Sequence, residues 1–222
     1  MPLYLLDDTL WFPDVEEALE DGLLAVGGDL SVERLLLAYQ SGIFPWYNED
    51  EIPMWWSPDP RFVLFPEKLR VSRSMNQLLR RGEFEFRVNS DFESVIHGCR
   101  TSRRKGDPGT WISEEVATGY IRLHQFGYAH SAETWRNGEL VGGLYGVWLG
   151  NVFFGESMFS KKSNASKFAF INWITYLQQN GVVLIDCQVY TEHLESLGAC
   201  MITRSDFISI LNTSIPPLSQ LL

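Results

Sequence analysis

Residues 128–159 read as three antiparallel strands joined by two tight turns, and this pattern constrains the fold more than any other feature. The three strand-like stretches are rich in apolar residues and cover 128–136, 139–149 and 152–159. The dipeptides Asn137-Gly138 and Gly150-Asn151 separate them, and both are typical of tight β-hairpin turns. An apolar fraction of 45% and a charged fraction of 21% exclude a disordered chain, a coiled coil and a fibrous repeat.

The elements around these strands predict a mixed sheet. A helix is expected over Ala165–Gln179, followed by an apolar strand over 182–189, a short helix and a closing strand near Cys200. Upstream, the same signals predict strands over 62–65 and 84–89 and helices over 72–81, 91–98 and 113–126. Since the strand at 182–189 follows a crossover helix, we expect an α/β (α+β) domain with a mixed sheet. Acyltransferases of the acetyltransferase (GNAT) superfold have this order of elements.

The N-terminal part of the chain is dense in proline and tryptophan. Residues 44–47 read Phe-Pro-Trp-Tyr, and residues 55–60 read Trp-Trp-Ser-Pro-Asp-Pro. One helix is expected here, over Ser31–Gln40, because Ser31 is a favourable N-cap. We therefore predict a small lobe over residues 1–61 with rigid, loop-like structure and aromatic faces, and an acetyltransferase-like domain over residues 62–222.

Positive charge is concentrated in one short segment, although the chain carries a net charge of −10. Residues 1–60 hold one base and thirteen acids, whereas residues 61–105 hold eleven bases and five acids. A polyanion could bind the basic segment while the acidic remainder repels it. A solvated, charged helix explains the same pattern without a ligand, so charge alone does not decide.

The cysteines and the hydropathy pattern indicate a soluble protein. Cys99, Cys187 and Cys200 form neither a Cys-x-x-Cys pair nor an even set for disulfides, which is typical of reduced thiols in the cytoplasm. The longest uncharged central stretch, 140–155, is shorter than the roughly 20 residues of a membrane-spanning helix, and no secretory leader is recognised. We expect a cytoplasmic monomer that does not bind membranes.

Two isolated acids stand in apolar strands and mark a candidate site. By alternation, Asp186 and Gln188 share one face of their strand and Cys187 points to the other, where we expect it in the core. An unpaired buried carboxylate is costly, so Asp186 is either a structural residue that holds a neighbouring loop or part of a site. Glu156 is the second such acid, and Gly155 beside it would let a ligand approach closely. The four histidines lack ligand spacing, so no metal site is expected.

Eight sequence blocks of unusual composition span nearly the whole chain. They are 22–31 (GLLAVGGDLS), 42–46 (GIFPW), 55–61 (WWSPDPR), 109–112 (GTWI), 140–143 (LVGG), 154–160 (FGESMFS), 164–167 (NASK) and 184–189 (LIDCQV). Together they resemble the leucyl/phenylalanyl-tRNA–protein transferase family, from about Phe12 to Leu211. The resemblance implies a small N-terminal domain on an acetyltransferase-like domain, in agreement with the order of elements.

The resemblance also implies an activity. The family transfers leucine or phenylalanine from aminoacyl-tRNA to the α-amino group of a protein that begins with Arg or Lys, and the product marks that protein for N-end rule degradation. Slower transfer of methionine is expected, because an apolar pocket discriminates a methylene by only about 1–3 kcal/mol. Neither a cofactor nor a metal is implied. Three alternatives stay open: a coenzyme A-dependent N-acetyltransferase, an aminoacyl-tRNA-dependent transferase of peptidoglycan cross-bridges, and a non-catalytic RNA-binding module.

Site residues follow from the same resemblance. Asp186 and Gln188 match the proposed catalytic pair, and Glu156 matches a residue near the bound aminoacyl group. The residues matched to the 3′-terminal adenosine and the mouth of the site are Trp46, Trp111 and Tyr120, and those matched to the apolar pocket are Leu144 (a Met in some members), Phe153 and Met158. The residues matched to tRNA contacts are Arg80 and Arg81. Since Asn76 and Gln77 stand where some members have basic residues, we expect a tRNA patch that is either weaker or shifted onto Arg70, Arg73 and Arg103-Arg104-Lys105.

The chemistry of aminoacyl transfer fits these residue types. An aminoacyl ester is already activated, but an acceptor α-amine with a pKa of about 7.7–8 is largely protonated at neutral pH. We expect Asp186 to act through Gln188 on the attacking amine, with a general-base contribution of roughly 10²–10⁴ in rate, and Glu156 to hold the donor's amino group. Proton transfer by the ribose hydroxyl of the tRNA fits the sequence equally well.

Overall fold

The N-terminal lobe contains a small sheet. The computed structural model describes residues 3–102 and 111–221. The elements of the lobe are β1 (Tyr4–Leu6), β2 (Leu23–Gly27), α1 (Val32–Gln40), β3 (Phe44–Pro45) and β4 (Met54–Trp56). The four strands are ordered β1-β2-β4-β3. The predicted helix is confirmed, since the Ser31 side chain accepts a hydrogen bond from the backbone N–H of Arg34.

The prediction of loop-like structure in this lobe is wrong. Its strands are so short that no alternation of apolar and polar residues is visible in the sequence, and they pair across long separations, as Leu23 does with Trp56. The side chain of Trp55 is fully buried, and its indole N–H donates to the carbonyl of Gly27 at 2.9 Å. Buried aromatic side chains and cross-strand pairing therefore order a segment that local propensity assigns to loops.

A seven-stranded sheet forms the rest of the fold. Its strands are β5 (Arg61–Leu64), β6 (Glu85–Val88), β7 (Ala129–Arg136), β8 (Glu139–Leu149), β9 (Val152–Ser160), β10 (Leu184–Gln188) and β11 (Cys200–Ile202). The order is β11-β5-β10-β9-β8-β7-β6, and β10 runs parallel to β9 but antiparallel to β5. The predicted mixed sheet is thus confirmed. So is the first hairpin, where Asn137 and Gly138 both adopt positive φ, as a tight turn requires.

Helices cover the sheet and flank its edges. They are α2 (Arg73–Arg80), α3 (Phe92–Thr101), α4 (Glu114–Gln125), α5 (Ala165–Gln179), α6 (Glu192–Ser196), α7 (Arg204–Ser214) and α8 (Leu218–Leu221). The α3 helix reaches Thr101, so Arg100 is helical rather than part of the expected basic loop, whose residues 103–109 lie outside the described ranges. Across residues 3–102 and 111–221, no helix is long and apolar enough to cross a membrane.

Two apolar cores hold these layers together. The first joins the lobe to the large sheet, because Leu24 and Trp55 belong to the same buried cluster as Tyr145 and Phe154. The second packs α5 on the sheet through buried residues that include Trp173. The domain boundary between residues 61 and 62 stays a prediction, since the first core spans it.

The site owes its position to two parallel strands that pair for only part of their length. Strand β10 pairs with β9 at three positions, from Leu184 with Val152 to Asp186 with Phe154. Beyond these pairs, the backbones of β9 and β10 no longer pair, and Gly155, Glu156 and Gln188 line a cavity. The missing pairs therefore open the sheet at the point where both isolated acids stand.

Candidate active site

A cavity of about 370 Å³ lies where β9 and β10 separate. Its wall combines apolar side chains with a few polar groups, as small-molecule sites commonly do. It brings together eight of the nine predicted catalytic and substrate-binding residues: Trp46, Trp111, Leu144, Phe153, Glu156, Met158, Asp186 and Gln188. The ninth, Tyr120, does not line it.

The Glu156 carboxyl in the cavity wall accepts three side-chain hydrogen bonds. Its Oε1 accepts from the Tyr39 hydroxyl at 2.8 Å and from Nε2 of Gln188 at 2.9 Å, and its Oε2 accepts from the Tyr120 hydroxyl at 2.7 Å. The pKa of the carboxyl is raised to about 7, because burial, together with the charge of Asp186, outweighs the hydrogen bonds from the two tyrosines and Gln188, which lower it. The carboxyl therefore changes its charge near neutral pH.

The two tyrosines form a buried pair behind Glu156. The expectation that Tyr120 stands at the mouth is wrong, because its side chain is fully buried and hydrogen-bonded to Tyr39 and Glu156. Burial, followed by the charge of Glu156, raises the pKa of both hydroxyls well above the usual range, so both are donors. The two hydroxyls and the carboxyl make three contacts with one another: Tyr39 with Tyr120, and each tyrosine with Glu156. When Glu156 is ionised, only the two hydroxyl protons are available for these three contacts, whereas a protonated Glu156 supplies a third proton. Sequence reasoning missed Tyr39, which lies in α1.

Asp186 is paired with an arginine that the sequence did not single out. Its Oδ1 accepts from Nε of Arg61 at 2.9 Å and its Oδ2 accepts from Nη2 at 2.7 Å, while neither side chain is more than 1% exposed. Oδ1 also accepts from the backbone N–H of Gln188 at 2.9 Å. These contacts agree with the alternative that Asp186 is a structural residue, because it holds the backbone of a neighbouring residue. The expected action of Asp186 on an attacking amine does not fit them, because its carboxylate is covered.

A β-bulge changes which way the strand residues point. The pairing register of β10 against β5 shifts between Asp186 and Gln188, and Gln188 adopts a φ of 63°. The prediction that Cys187 lies on the face opposite to the site is therefore wrong, because it lines the cavity. It is half-buried and packs against the second apolar core, as expected. Burial, and then the charge of Asp186, raises the pKa of the Cys187 thiol, so the reactive thiolate is disfavoured.

One end of the cavity is apolar. Leu144 lies opposite Met158 on the paired strands β8 and β9, and Phe153 packs its ring edge against Trp173 with centroids 5.4 Å apart. Phe170, Ile185 and Leu194 complete this end. The three residues predicted for an apolar side-chain pocket are therefore adjacent in space.

Tryptophans form part of the wall next to the lobe. Trp46 is 44% exposed, and its ring lies 5.9 Å from that of Trp56. Trp111 is half-buried and lines the same cavity. Exposed aromatic faces next to a cavity suit the stacking of a nucleobase.

The predicted tRNA-contacting arginines lie on α2, just before it and directly after it. All four are exposed, and within the described part of the chain none forms an ion pair: Arg70, Arg73, Arg80 and Arg81. The backbone N–H of Arg70 donates to the carbonyl of Leu197, three residues beyond Leu194 of the cavity wall. The further expected contacts, Arg103-Arg104-Lys105, lie outside the described residues.

Acidic and imidazole side chains do not gather into a metal site in the described ranges. No group of three or more His, Cys, Asp or Glu residues among residues 3–102 and 111–221 could hold a metal ion. The cavity is lined by the Glu156 carboxyl, the Gln188 amide and the covered Asp186, and by five further residues with polar side chains: Tyr145, Ser157, Cys187, Thr191 and His193. Such groups can orient an amine and an ester.

A mixed sheet that opens onto an apolar pocket with a carboxyl and an amide in its wall suits an enzyme that transfers a group between two bound substrates. The model of the leucyl/phenylalanyl-tRNA protein transferase family matches residues 63–212, and the model of its N-terminal domain matches residues 28–59. The chain belongs to this family of aminoacyltransferases.

Full-length relatives carry the same family name. The leucyl/phenylalanyl-tRNA–protein transferase of Syntrophobacter fumaroxidans is 53% identical, covering 97% of this chain and 92% of the relative. That of Flavobacterium johnsoniae is 54% identical, covering 95% of this chain and 100% of the relative. Among solved structures, a GCN5-related N-acetyltransferase-like protein of Streptococcus suis aligns with a TM-score of 0.39 at 11% identity, over 73% of this chain and 60% of that protein.

Proposed function

We propose that the protein transfers leucine or phenylalanine, and methionine more slowly, from aminoacyl-tRNA to the α-amino group of proteins that begin with Arg or Lys. The observation that carries the proposal is the cavity, where a carboxyl that titrates near neutral pH stands beside an apolar pocket. The names of the relatives, which specify leucine, phenylalanine, tRNA and protein, support it. The added residue marks the acceptor for N-end rule degradation.

The proposed reaction exchanges an ester for an amide. The acceptor nitrogen attacks the ester carbonyl of the aminoacyl-tRNA and forms the new C–N bond. The C–O bond to the terminal ribose breaks, and the ribose oxygen leaves with a proton that the amine has lost. Because the ester is already activated, the enzyme needs to bind, orient and deprotonate rather than to activate a carboxylate.

Glu156 holds the α-amino group of the donor in this proposal. As a carboxylate, it attracts an ammonium group, and the hydroxyls of Tyr39 and Tyr120 fix both of its oxygens. The donor's own side chain then enters the apolar end beside Leu144 and Met158. Since Asp186 is covered by Arg61, we assign the proton of the attacking amine to the ribose hydroxyl of the donor.

The acceptor end of the proposal rests on charge. Residues 1–60 carry one base and thirteen acids, and Trp46 of this lobe lines the cavity. An acidic lobe next to the cavity attracts a basic N-terminus and lowers the local concentration of acidic ones.

Leu144→Phe is expected to narrow the apolar end and to change the choice of donor. Leu144 is 2% exposed and faces Met158, so the larger ring takes up space that a phenylalanine donor needs. We expect the ratio of kcat/KM for Phe-tRNA to that for Leu-tRNA to fall roughly tenfold or more. Leu5→Phe, at a leucine that is 75% exposed, is the matched control and should leave the ratio unchanged. Equal losses with both donors would place the side-chain pocket elsewhere.

Replacing both Arg80 and Arg81 with alanine is expected to weaken tRNA binding without slowing chemistry. Phosphate contacts contribute affinity by releasing counterions, so the slope of log K against log salt should fall by about one per lost contact. Filter binding at several salt concentrations measures this slope. Arg122→Ala removes an exposed arginine of α4 and is the control. An unchanged slope in the double variant would remove α2 from the tRNA interface.

The donor is identified by a direct comparison of two acyl sources. The protein is incubated with a peptide that begins with Arg and with either Phe-tRNA or acetyl-coenzyme A, and the peptide is weighed by mass spectrometry. We expect the gain of one phenylalanine with the first donor and no change with the second. Acetylation would support the coenzyme A-dependent alternative, and tRNA binding without any transfer would support an RNA-binding module.

A further inference from the structure

We propose that Arg61 is a positioning residue of the transfer reaction: with Asp186 it forms a buried clamp that fixes the backbone of Gln188 and directs the Gln188 amide at Glu156. This inference rests on the proposed function. In this proposal Asp186 does not transfer a proton, contrary to the expectation from the sequence; instead, Asp186 and Arg61 together hold Gln188 in place.

The guanidinium of Arg61 is immobilised on three sides. It is fully buried, and it donates two hydrogen bonds to the two oxygens of Asp186. The rings of Phe44 and Phe207 lie 4.6 Å from its central carbon. A planar guanidinium that donates two hydrogen bonds to one carboxylate and lies between two aromatic rings is held in a single orientation. A lysine ammonium cannot make the same pair of hydrogen bonds.

Asp186 passes this orientation to the next part of the strand. Its side chain is 0% exposed, and its Oδ1 accepts from both Arg61 and the backbone N–H of Gln188. A substrate amine could reach this carboxylate only by displacing Arg61, and a buried pair that loses one partner leaves an uncompensated charge. The carboxylate is therefore held in place as an acceptor for the Gln188 backbone.

Gln188 needs this support because its backbone is unusual. A φ of 63° is rare for a residue with a side chain, and sparsely populated conformations of this kind cost on the order of 1–3 kcal/mol. The hydrogen bond that its backbone N–H donates to Oδ1 of Asp186, together with the β-bulge, stabilises this conformation. In this conformation, Nε2 of Gln188 donates to Oε1 of Glu156 at 2.9 Å. The chain of contacts from Arg61 to Glu156 is thus continuous.

The clamp also connects three parts of the fold. Phe44 belongs to β3 of the lobe and Phe207 to α7, while Arg61 itself is the first residue of β5. Strand β10, which carries Asp186, lies next to β5 in the sheet. A displacement of the lobe therefore reaches Gln188 through Arg61.

Arg61→Lys tests the clamp, with Arg204→Lys as its matched control. Arg204 is another arginine with little exposure that connects the lobe to α7, through the carbonyl of Ser57, but it does not line the cavity. We expect Arg61→Lys to lower kcat for transfer roughly 10²-fold with KM for aminoacyl-tRNA unchanged, because a displacement of about 1 Å has such an effect. Arg204→Lys should lose thermal stability and keep kcat.

The pH profile separates positioning from proton transfer. If Asp186 were the proton acceptor, Arg61→Lys would change the position and hydrogen bonding of the positive charge beside the accepting carboxylate, and the acidic limb of the rate profile would move. If Arg61 only positions Gln188, the rate of Arg61→Lys should be lower at every pH, while the shape of its pH profile should match that of the unsubstituted protein. A shifted limb, or a kcat within about threefold of the unsubstituted protein, would overturn the proposal.

Two further measurements keep the clamp testable if Arg61→Lys fails to fold or if no transfer is found. Asp186→Asn retains an oxygen for the Gln188 backbone but not the ion pair, and it should also lose kcat with KM unchanged. The side-chain amide of Gln188, followed by ¹⁵N NMR, should shift in whichever variant folds, with or without transfer activity. An unchanged amide signal contradicts the clamp, whereas absent transfer by the unsubstituted protein contradicts only the proposed function.

Discussion

Glu156→Gln is expected to lower kcat/KM for transfer on the order of 10²-fold at pH 8. The glutamine is isosteric but neutral, so it cannot attract the donor's ammonium group. Removal of one member of a hydrogen-bonded charge pair costs about 2–5 kcal/mol, and each 1.4 kcal/mol corresponds to a factor of about ten. The hydrogen-bond ring survives, because the new amide can donate to Tyr120 while its oxygen accepts from Tyr39 and Gln188.

The same substitution is expected to change the pH dependence of the rate. Burial raises the pKa of Glu156 to about 7, so the unsubstituted protein gains the carboxylate as the pH rises through that value. Its kcat/KM should rise over this range, and Glu156→Gln should lack that limb while keeping the limb set by the substrate amines. Initial rates between pH 5.5 and about 9 measure both profiles. A variant with the rate and profile of the unsubstituted protein would remove Glu156 from the reaction.

Stability should respond in the opposite direction to activity. The pKa of Glu156 in the folded protein, about 7, exceeds its ordinary value of 4.5, so the folded state binds the proton more tightly. The resulting stabilisation is complete below about pH 4.5 and is lost as the pH rises through about 7. Glu156→Gln stays neutral throughout. We therefore expect its Tm to exceed that of the unsubstituted protein at pH 8 and to match it near pH 4.5.

A second buried glutamate provides the control for Glu156→Gln. Glu133 accepts from the backbone N–H groups of Ser90 and Asp91, from the hydroxyl of Ser131 and from the indole N–H of Trp135. Glu133→Gln places an amide donor among these donors, so it should lower Tm at pH 8 while the folded fraction keeps its kcat. At pH 8 we thus expect Glu156→Gln to raise Tm and Glu133→Gln to lower it, because the charge of Glu156 destabilises the fold whereas that of Glu133 is satisfied by its donors.

Gly146→Ala is expected to destabilise the fold by about 3 kcal/mol or more. A Cβ atom at Gly146 would lie 2.1 Å from the carbonyl oxygen of Phe154 and 2.5 Å from the ring of Phe153. The first of these is backbone of the paired strand, so relief requires β8 and β9 to separate. Urea unfolding measures the loss, which is a large part of the stability of an ordinary domain.

Gly155→Ala is the matched substitution on the neighbouring strand. A Cβ atom there would lie 3.5 Å from the carbonyl of Asp186, which is an ordinary contact, and Gly155 lines the cavity. We expect Tm to change little and kcat/KM for Phe-tRNA to fall roughly tenfold, because the methyl group occupies substrate space. Gly155→Ala with full activity would contradict this location of the substrate, and a stable Gly146→Ala would contradict the packing of β8 on β9.

The parts of the fold that sequence predicted are those with local signals. The hairpin at Asn137-Gly138 and the helix Ala165–Gln179 follow from turn residues, apolar runs and a terminal glycine, all within a few neighbouring residues. Helix α7 was missed, although Thr203 and Asp206 form reciprocal N-terminal hydrogen bonds that could have indicated it. The short strands of the lobe give no local pattern, because their pairing is set by distant residues.

The site was predicted where single residues are anomalous and missed where partners are distant. Glu156 and Asp186 stand out as acids in apolar strands, but Arg61 precedes Asp186 by 125 residues and Tyr39 precedes Glu156 by 117. Nothing in either neighbourhood of the sequence identifies such a partner. The orientation of Cys187 was mispredicted because strict alternation does not anticipate a bulge.

Transfer to a free N-terminus is the most direct test of the central claim. The protein is mixed with Phe-tRNA and with two peptides that differ only in acetylation of an N-terminal Arg, and both peptides are weighed after the reaction. A free α-amine is the nucleophile of the proposed step, so only the unmodified peptide should gain one phenylalanine. Gain on neither peptide, under conditions in which the tRNA is bound, or equal gain on both, would contradict the account.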